Sequence, residues 1–298
     1  MQPDASAELI KNIENDIQSS GFPLELEVLN ICSKKNTGRM PNVRYEFHGE
    51  VREIDLFAFF ETIEWKSKGR AAIQHTTTIE CKKSSKKPWV FFSSPSYAFH
   101  EVSTFLRYSS EFDEFYSSKQ APSLLNHIRP KITKSHYVSP TVPRCITYYE
   151  AFKGTSSAPS EIYRAIDSVI TFLTHREEER ENRALGTGDF SEFYVPIIVL
   201  DGHLFEASLS PADIKVEARQ HLQLRTFHRE DIYIIDIVTR DYFEQFFMTL
   251  ADFHEELVAA IRSLKFPSDF GQSLLARNKA LFQIVRRPKS QEGNPGPL

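Results

Sequence analysis

The residues best suited to chemistry are Glu80 and Lys82, two positions apart, and the isolated acid Asp55. Glu80 and Lys82 end an apolar, β-branched run, and side chains two positions apart in a strand share a face. Asp55 lies in the apolar segment REIDLFAF, where a carboxylate is costly unless it is paired or binds a metal. We therefore expect these three side chains to form one polar site.

A β-hairpin would bring the three side chains together. Segment 66–70, KSKGR, holds the only glycine between the two apolar segments and is the predicted turn. Folding the chain about its centre places Asp55 opposite roughly Lys82 and Phe57 opposite roughly Glu80, and directly opposed residues share a face. The other face of the first strand is predicted to carry Ile54, Leu56 and Ala58.

Two carboxylates with open oxygen positions suit Mg²⁺ or Mn²⁺, which prefer hard oxygen ligands. Such an ion acidifies a water and neutralises the charge that builds on a phosphodiester, while Lys82 would orient that water or stabilise the pentavalent phosphorus. The alternative is a salt-bridged strand, because an acid and a lysine two apart are a common pattern. The same pattern occurs in EWK (64–66) and DIK (213–215), but only ECK (80–82) follows an apolar run.

The order of three segments, GFPLELEV, REIDLFAF and TTIECKKS, resembles the restriction-endonuclease-like PD-(D/E)XK nuclease superfamily. The motifs cover about residues 20–90, and the order of elements extends to about residue 210. The resemblance implies an α/β fold with a mixed sheet, an αβββαβ core that carries an insertion, and a C-terminal strand-helix extension. Ile54 stands where the family motif has proline, which many members also lack.

The resemblance also implies roles for individual residues. Asp55 and Glu80 would bind the divalent metal, the Cys81 backbone carbonyl would add a ligand, and Lys82 would be the catalytic lysine. A glutamate of the first core helix often completes the site in this superfamily, and the candidates here are Glu25 and Glu27.

Helical spacing separates these two glutamates. Glu25 lies nearer than Glu27 to the centre of the apolar stripe of this helix, so we favour Glu25. The alternative is that both are solvated acids of the first helical turn, where they complement the helix dipole. The stripe consists of Leu24, Val28, Ile31 and Cys32.

Three further lysines follow the predicted site: Lys83, Lys86 and Lys87. They could hold phosphates of a nucleic acid beside the chemistry. The alternative is a solvated loop at the end of the strand. The aromatic run WVFF that comes next is predicted to continue as buried strand rather than to stack on bases.

Composition sets the limits for the whole chain. With 298 residues, of which 41% are hydrophobic, the chain can bury a sizeable core. A net charge of -4 argues against a globally basic nucleic-acid coat, although a local basic groove suffices for binding. Three separated cysteines form no disulfide framework and no zinc motif, which favours a reducing, cytoplasmic setting. The sequence contains no signal-peptide core and no apolar run of membrane-spanning length. A homodimer is a possible assembly.

The remaining pattern predicts one domain over residues 1–265 with an insertion at about 93–157, then a helix and a disordered tail over 266–298. Asp236, an acid inside an apolar strand, is expected to be paired within the core.

Helices are predicted at Ala5–Ser19, from Pro23 to about residues 36–38, near Tyr97–Tyr108, from an N-cap at Ser160, at Asp241–Leu264 and at Leu274–Val285. Strands are predicted at Val43–Phe47, Val51–Phe60, Ala72–Lys82, Arg144–Phe152 and Asp231–Val238, with a further hairpin whose turn is Asp201-Gly202.

Together these observations predict a Mg²⁺-dependent or Mn²⁺-dependent nuclease, with DNA as the expected substrate. The alternative is a nucleic-acid-binding or protein-interaction module that keeps the fold without catalysis, since fold alone does not fix function.

Overall fold

The computed structural model describes residues 6–35, 37–66, 69–93, 107–110, 128, 130–132, 135, 137, 142–152, 160–183, 189–209, 213–228 and 231–263. The helices are α1 (Ala7–Ser19), α2 (Phe22–Ser33), α3 (Glu161–Arg183) and α4 (Arg240–Arg262). The strands are β1 (Gly38–Phe47), β2 (Glu50–Lys66), β3 (Gly69–Ser93), β4 (Arg107–Ser110), β5 (Arg144–Glu150), β6 (Asp189–Leu209), β7 (Ile214–Ala218), β8 (His221–His228) and β9 (Asp231–Thr239).

The strands form a mixed sheet with the order β1-β2-β3-β5-β8-β9-β6-β4, and β7 pairs with β6. β1, β2 and β3 are antiparallel neighbours, whereas β3 and β6 run parallel. A parallel pair needs a crossover connection, and α3 directly precedes β6 in the chain. The α/β class with a mixed sheet, predicted from the sequence, is confirmed.

Helices cover both faces of the sheet. On one face, α2 and α4 pack on β3 through a cluster that includes Val28, Ile79 and Phe247. On the other face, α3 packs on β2 and β3 through a cluster that includes Phe57 and Val169. The apolar stripe predicted for α2 is buried, which confirms that prediction: Leu24, Val28, Ile31 and Cys32.

Hydroxyl side chains cap two of the helices. The Ser6 hydroxyl accepts from the Leu9 amide at 3.2 Å, so α1 begins at Ala7 rather than at the predicted Ala5. The Ser160 hydroxyl accepts from the Tyr163 amide at 3.0 Å, which confirms the N-cap predicted for α3. α2 begins at Phe22 and ends at Ser33, close to the predicted bounds.

The predicted hairpin at Asp201-Gly202 is wrong, because β6 runs through this dipeptide as one strand. Asp201 and Gly202 pair in parallel with Lys83 and Ser84 of β3. A Cβ atom on Gly202 would lie 2.6 Å from the Ser84 carbonyl oxygen. Glycine is therefore needed here for close approach of two backbones, not for a turn.

The β2–β3 hairpin forms as predicted, but its register differs. Lys66 pairs with Gly69, and the turn residues 67 and 68 lie outside the described residues. Phe57 pairs with Thr78, whereas the prediction placed it opposite roughly Glu80. Because strand side chains alternate with a period of two, this shift of two residues keeps Glu80 and Lys82 on one face and Cys81 on the other.

One facing prediction for β2 is wrong. Leu56 and Ala58 belong to the cluster under α2 and α4, but Ile54 belongs to the opposite cluster with Phe57. Alternation is therefore interrupted near Asp55. The neighbouring strand is irregular at the same level, since Asn42 adopts φ 50 and lies between the pairs Pro41–Leu56 and Val43–Ile54.

Much of the predicted insertion lies outside the described residues. The described residues end at 263, so the predicted helix Leu274–Val285 and the predicted tail 266–298 also lie outside them. Of the predicted helix near Tyr97–Tyr108, the structure describes only residues 107 and 108. These belong to β4, which pairs antiparallel with β6, so the helix prediction is wrong there. The remaining strand predictions are confirmed with different bounds, and β5, β8 and β9 link the far end of β3 to β6. Within the described ranges, no helix is long and apolar enough to span a membrane.

Candidate active site

The candidate site lies where β2 and β3 separate. The paired residues of these strands run from the hairpin turn to Leu56 and Ile79. Beyond that point the amide of Cys81 donates to the Asp55 carboxylate at 2.7 Å instead of to a β2 carbonyl. Asp55 thus satisfies a backbone donor at a fork in the sheet, and its charge is held beside the next residues of β3.

Glu80 is buried and both of its carboxylate oxygens accept hydrogen bonds. The Lys82 ammonium donates to Oε1, as expected for side chains two positions apart on one face. The Ser168 hydroxyl of α3 donates to Oε2 at 2.8 Å. The site is therefore assembled from β2, β3 and the helix that covers them.

Burial and charge repulsion shift the acids in this cluster. The pKa of Glu80 is raised to about 7, first by burial and then by the charge of Asp55, against the opposing effect of Lys82. Burial also raises the pKa of Asp55, while the Cys81 amide and Lys82 lower it. A buried carboxylate whose pKa is raised by a second carboxylate, as that of Glu80 is by Asp55, lacks full compensation by positive charge.

Lys82 is the cation of this cluster. Burial lowers the pKa of its ammonium, but Glu80, by charge and by hydrogen bond, together with Asp55, raises it above the ordinary value. Lys82 therefore stays protonated at neutral pH and can act as a hydrogen-bond donor and a positive charge, not as a base.

The structure separates the two candidate glutamates of α2. Burial raises the pKa of Glu25, and the next effects come from Asp55, which raises it, and Lys82, which lowers it. Glu25 is thus in electrostatic contact with the fork. Glu27 instead accepts from the Arg240 guanidinium of α4 at 2.7 Å. Of the two, Glu25 is the one whose pKa is influenced by Asp55 and Lys82.

The Cys81 side chain lies on the face of β3 opposite to Glu80. Its thiol belongs to the core cluster under α2 and α4, and burial raises its pKa well above the usual range. This is the alternation predicted for β3, with Glu80 and Cys81 on opposite faces. A metal-binding role for the Cys81 carbonyl stays a prediction.

The donor set has the chemistry of a hard-cation site, although its oxygens are already engaged. In the part of the chain that the structure describes, no group of three or more His, Cys, Asp or Glu side chains is arranged to hold a metal ion. Glu80 carries one donor on each oxygen, and Asp55 Oδ2 carries one. Each carboxylate oxygen has a second lone pair. The oxygens of Asp55 and Glu80 therefore fit Mg²⁺ or Mn²⁺ if the Lys82 ammonium moves away from Glu80 Oε1.

The three lysines beyond the site differ in their contacts with the rest of the protein. Lys83 donates to the Gln18 carbonyl at the end of α1, at 2.8 Å. Lys87 lies 3.4 Å from the buried carboxylate of Glu150. Lys86 is exposed. Among the described residues, contacts are thus found for Lys83 and Lys87 but not for Lys86. Binding of nucleic acid by these lysines stays a prediction.

The look-alike pattern at 213–215 forms no such cluster. Asp213 accepts from the amide of the adjacent Ile214 at 2.8 Å, and Lys215 pairs with Glu217 on the exposed strand β7. For the pattern at 64–66, the side chains lie outside the described residues. Burial beside a second carboxylate is therefore what distinguishes Glu80 and Lys82 from Asp213 and Lys215.

Asp236 is paired within the core, as predicted. Its carboxylate accepts from the Tyr137 hydroxyl at 2.7 Å and from the Gln223 amide at 3.1 Å, and the His221 ring nitrogen lies at 2.8 Å. This network ties Tyr137, in the predicted insertion, to β8 and β9. It lies in the core under α4 and is separate from the fork.

The sequence did not indicate Ser168. The buried apolar stripe of α3 includes Ile166, Val169 and Ile170, and Ser168 lies outside this stripe, where the helical period favours a solvent-facing side chain. That side of α3 is instead half-buried against β1, β2 and β3. The contact with Glu80 follows from the position of α3 over β1, β2 and β3.

Scans against protein-family models, curated proteins and solved structures find nothing that matches this chain.

Proposed function

We propose that this chain is a divalent-metal-dependent nuclease that hydrolyses phosphodiester bonds in DNA. The observation that carries the proposal is the convergence of Asp55, Glu80 and Lys82 at the fork between β2 and β3. Paired carboxylates beside a protonated lysine are the groups that metal-assisted phosphodiester hydrolysis requires.

The order of elements supports assigning this fork to a restriction-endonuclease-like core. Helix α2 is followed by the antiparallel strands β1, β2 and β3 and, after β4 and β5, by helix α3 and strand β6, which runs parallel to β3. If β4 and β5 belong to the predicted insertion, this is the αβββαβ order that the resemblance implies. The candidate residues stand on α2, β2 and β3, the elements on which the superfamily carries its site.

Each residue would have a distinct part in the reaction. Asp55 and Glu80 would hold the cation, and Glu25 would complete the acidic wall on the α2 side. A bound divalent ion supplies an acidified water and offsets charge on the phosphate. Lys82, protonated and hydrogen-bonded to Glu80, would orient the attacking water or donate to the phosphate oxygens in the transition state.

A second candidate function is a nucleic-acid-binding or protein-interaction module without catalysis. The observation that favours it is that both oxygens of Glu80 and one oxygen of Asp55 already have donors within the protein. In that case Lys82 would be the permanent counter-ion of Glu80, and the acids would serve only to stabilise the fork.

A cleavage screen tests the proposal. Duplex, single-stranded and branched DNA, and the corresponding RNAs, are incubated with the wild-type protein in Mg²⁺, in Mn²⁺ and in EDTA. We expect metal-dependent cleavage of DNA that Lys82→Ala abolishes, because the variant loses the only cation in contact with Glu80 among the described residues. Lys215→Ala is the matched control, since Lys215 belongs to the look-alike pattern on the surface.

The outcomes separate the two candidate functions. Retained cleavage in Lys215→Ala with none in Lys82→Ala supports the nuclease. A folded wild-type protein that binds DNA but cleaves none of the substrates in either metal supports the binding module. Equal cleavage by wild-type protein and Lys82→Ala contradicts the assignment of this fork as the site.

A further inference from the structure

Helix α3 makes a polar contact with the candidate site. The Ser168 hydroxyl donates to Glu80 Oε2 at 2.8 Å, while Lys82 donates to the other oxygen of the same carboxylate. Glu80 is thus held from two sides, by its own strand and by the helix that lies over it. Ser168 stabilises the ionised carboxylate, since its hydrogen bond lowers the pKa of Glu80.

The position of Ser168 is itself fixed by neighbouring contacts. Asp167 accepts from the Arg52 guanidinium of β2 at 2.8 Å, and the same Arg52 nitrogen reaches the Thr171 hydroxyl at 3.4 Å. Arg52 lies three residues before Asp55 on the same strand. The contacts on either side of Ser168 therefore tie α3 to the strand that carries the other acid of the site.

The hydroxyl of Ser168 is directed outward from its helix. A serine or threonine inside a helix commonly bonds a carbonyl one turn earlier, as Thr174 does with the Ile170 carbonyl at 3.0 Å. For Ser168 the hydroxyl hydrogen goes to Glu80 instead. Groups that orient ligating carboxylates from outside are a regular part of metal sites.

We propose that Ser168 is a positioning residue of the carboxylate site, holding Glu80 in the orientation in which it can share a divalent cation with Asp55. This inference rests on the proposed function. Ser168 acts through Glu80 and does not touch the cation or the substrate. With Oε2 fixed by Ser168, Lys82 can leave Oε1 without the carboxylate turning out of the site.

The test is the dissociation constant for Mn²⁺, measured by titration calorimetry on the full chain without nucleic acid. We expect Ser168→Ala to weaken Mn²⁺ binding by about 10-fold or more, the usual effect of losing an outer partner of a ligand. Ser168→Thr, which keeps the hydroxyl, should restore binding. Thr174→Ala is the control, because it removes a partly buried hydroxyl of the same helix that does not contact Glu80.

The results distinguish this inference from the proposed function. Wild-type protein that binds Mn²⁺ while Ser168→Ala binds it within roughly 2-fold overturns the positioning role and leaves the nuclease proposal intact. Wild-type protein that binds no Mn²⁺ overturns both. If Ser168→Ala does not fold, Ser168→Cys repeats the test, since a thiol of similar size is only a weak donor.

Discussion

Asp55 combines a structural and a chemical property in one side chain. Its carboxylate accepts from the Cys81 amide at the point where β2 and β3 part, and its charge raises the pKa of Glu80. A carboxylate at this position therefore stabilises the fork and contributes to the candidate metal site. The two contributions can be separated, because an amide side chain keeps the acceptor and removes the charge.

Substitution of Asp55 should show this separation. We expect Asp55→Ala to lower the free energy of unfolding by about 1–3 kcal/mol, because the half-buried Cys81 amide loses its acceptor. Asp55→Asn should stay close to the wild type in stability, since its carbonyl oxygen can still accept. Both variants should lose cleavage. Urea denaturation and the DNA cleavage assay measure the two effects, and an active Asp55→Asn would contradict the metal-binding role.

The two long strands of the hairpin also pack against α4, where two histidines meet. His75 of β3 is fully buried, and its ring stacks on that of His254 from α4. His254 contacts the Thr62 hydroxyl of β2 at 3.0 Å, whereas neither ring nitrogen of His75 has a hydrogen-bond partner among the described residues. This arrangement requires neutral rings, because a buried imidazolium would have no counter-charge here.

The histidine pair predicts a loss of stability in acid. Burial lowers the pKa of His254 to about 4 and that of His75 well below its usual range. Below about pH 6.5, these histidines therefore bind more protons in the unfolded chain than in the folded chain. Their contribution to the free energy of unfolding is fully present above that pH and is lost as the pH drops toward 4. Each histidine contributes at most about 1.4 kcal/mol per pH unit.

The measurement is the unfolding free energy from pH 7.5 to 4.5, compared between wild type and His75→Phe. We expect the variant to lose less stability than the wild type across this range, because one of the two buried bases is removed. His203→Asn, at an exposed position, should follow the wild-type curve. Parallel curves for wild type and His75→Phe would show that the ring does not titrate on unfolding.

Across the whole molecule, the sequence predicts what depends on local pattern. Alternation along β3 put Glu80 and Lys82 on one face and Cys81 on the other, and this held although the register differed by two residues. The stripe of α2 favoured Glu25 over Glu27, and the role of Glu25 in the site stays a prediction. Asp55 and Lys82 influence the pKa of Glu25, whereas Glu27 pairs with Arg240.

The features that the sequence did not predict depend on which elements become neighbours. Gly202 looked like a turn residue, but it permits the close approach of β6 to Ser84 of β3, a partner more than a hundred residues away. Ser168 lies outside the apolar stripe of α3, yet it is half-buried because this helix covers β1, β2 and β3. Ile54 changed face because the strand alternation is interrupted beside Asn42.

The central claim is that the fork between β2 and β3 binds a catalytic divalent cation. The most direct measurement is the anomalous difference density of crystals of the wild-type protein grown with Mn²⁺. We predict one strong peak shared by the carboxylates of Asp55 and Glu80, at ligand distances of about 2.0–2.2 Å, with Lys82 displaced from Glu80 Oε1. Crystals saturated with Mn²⁺ that show no peak at the fork, and in which Lys82 still bonds Glu80, would contradict the claim.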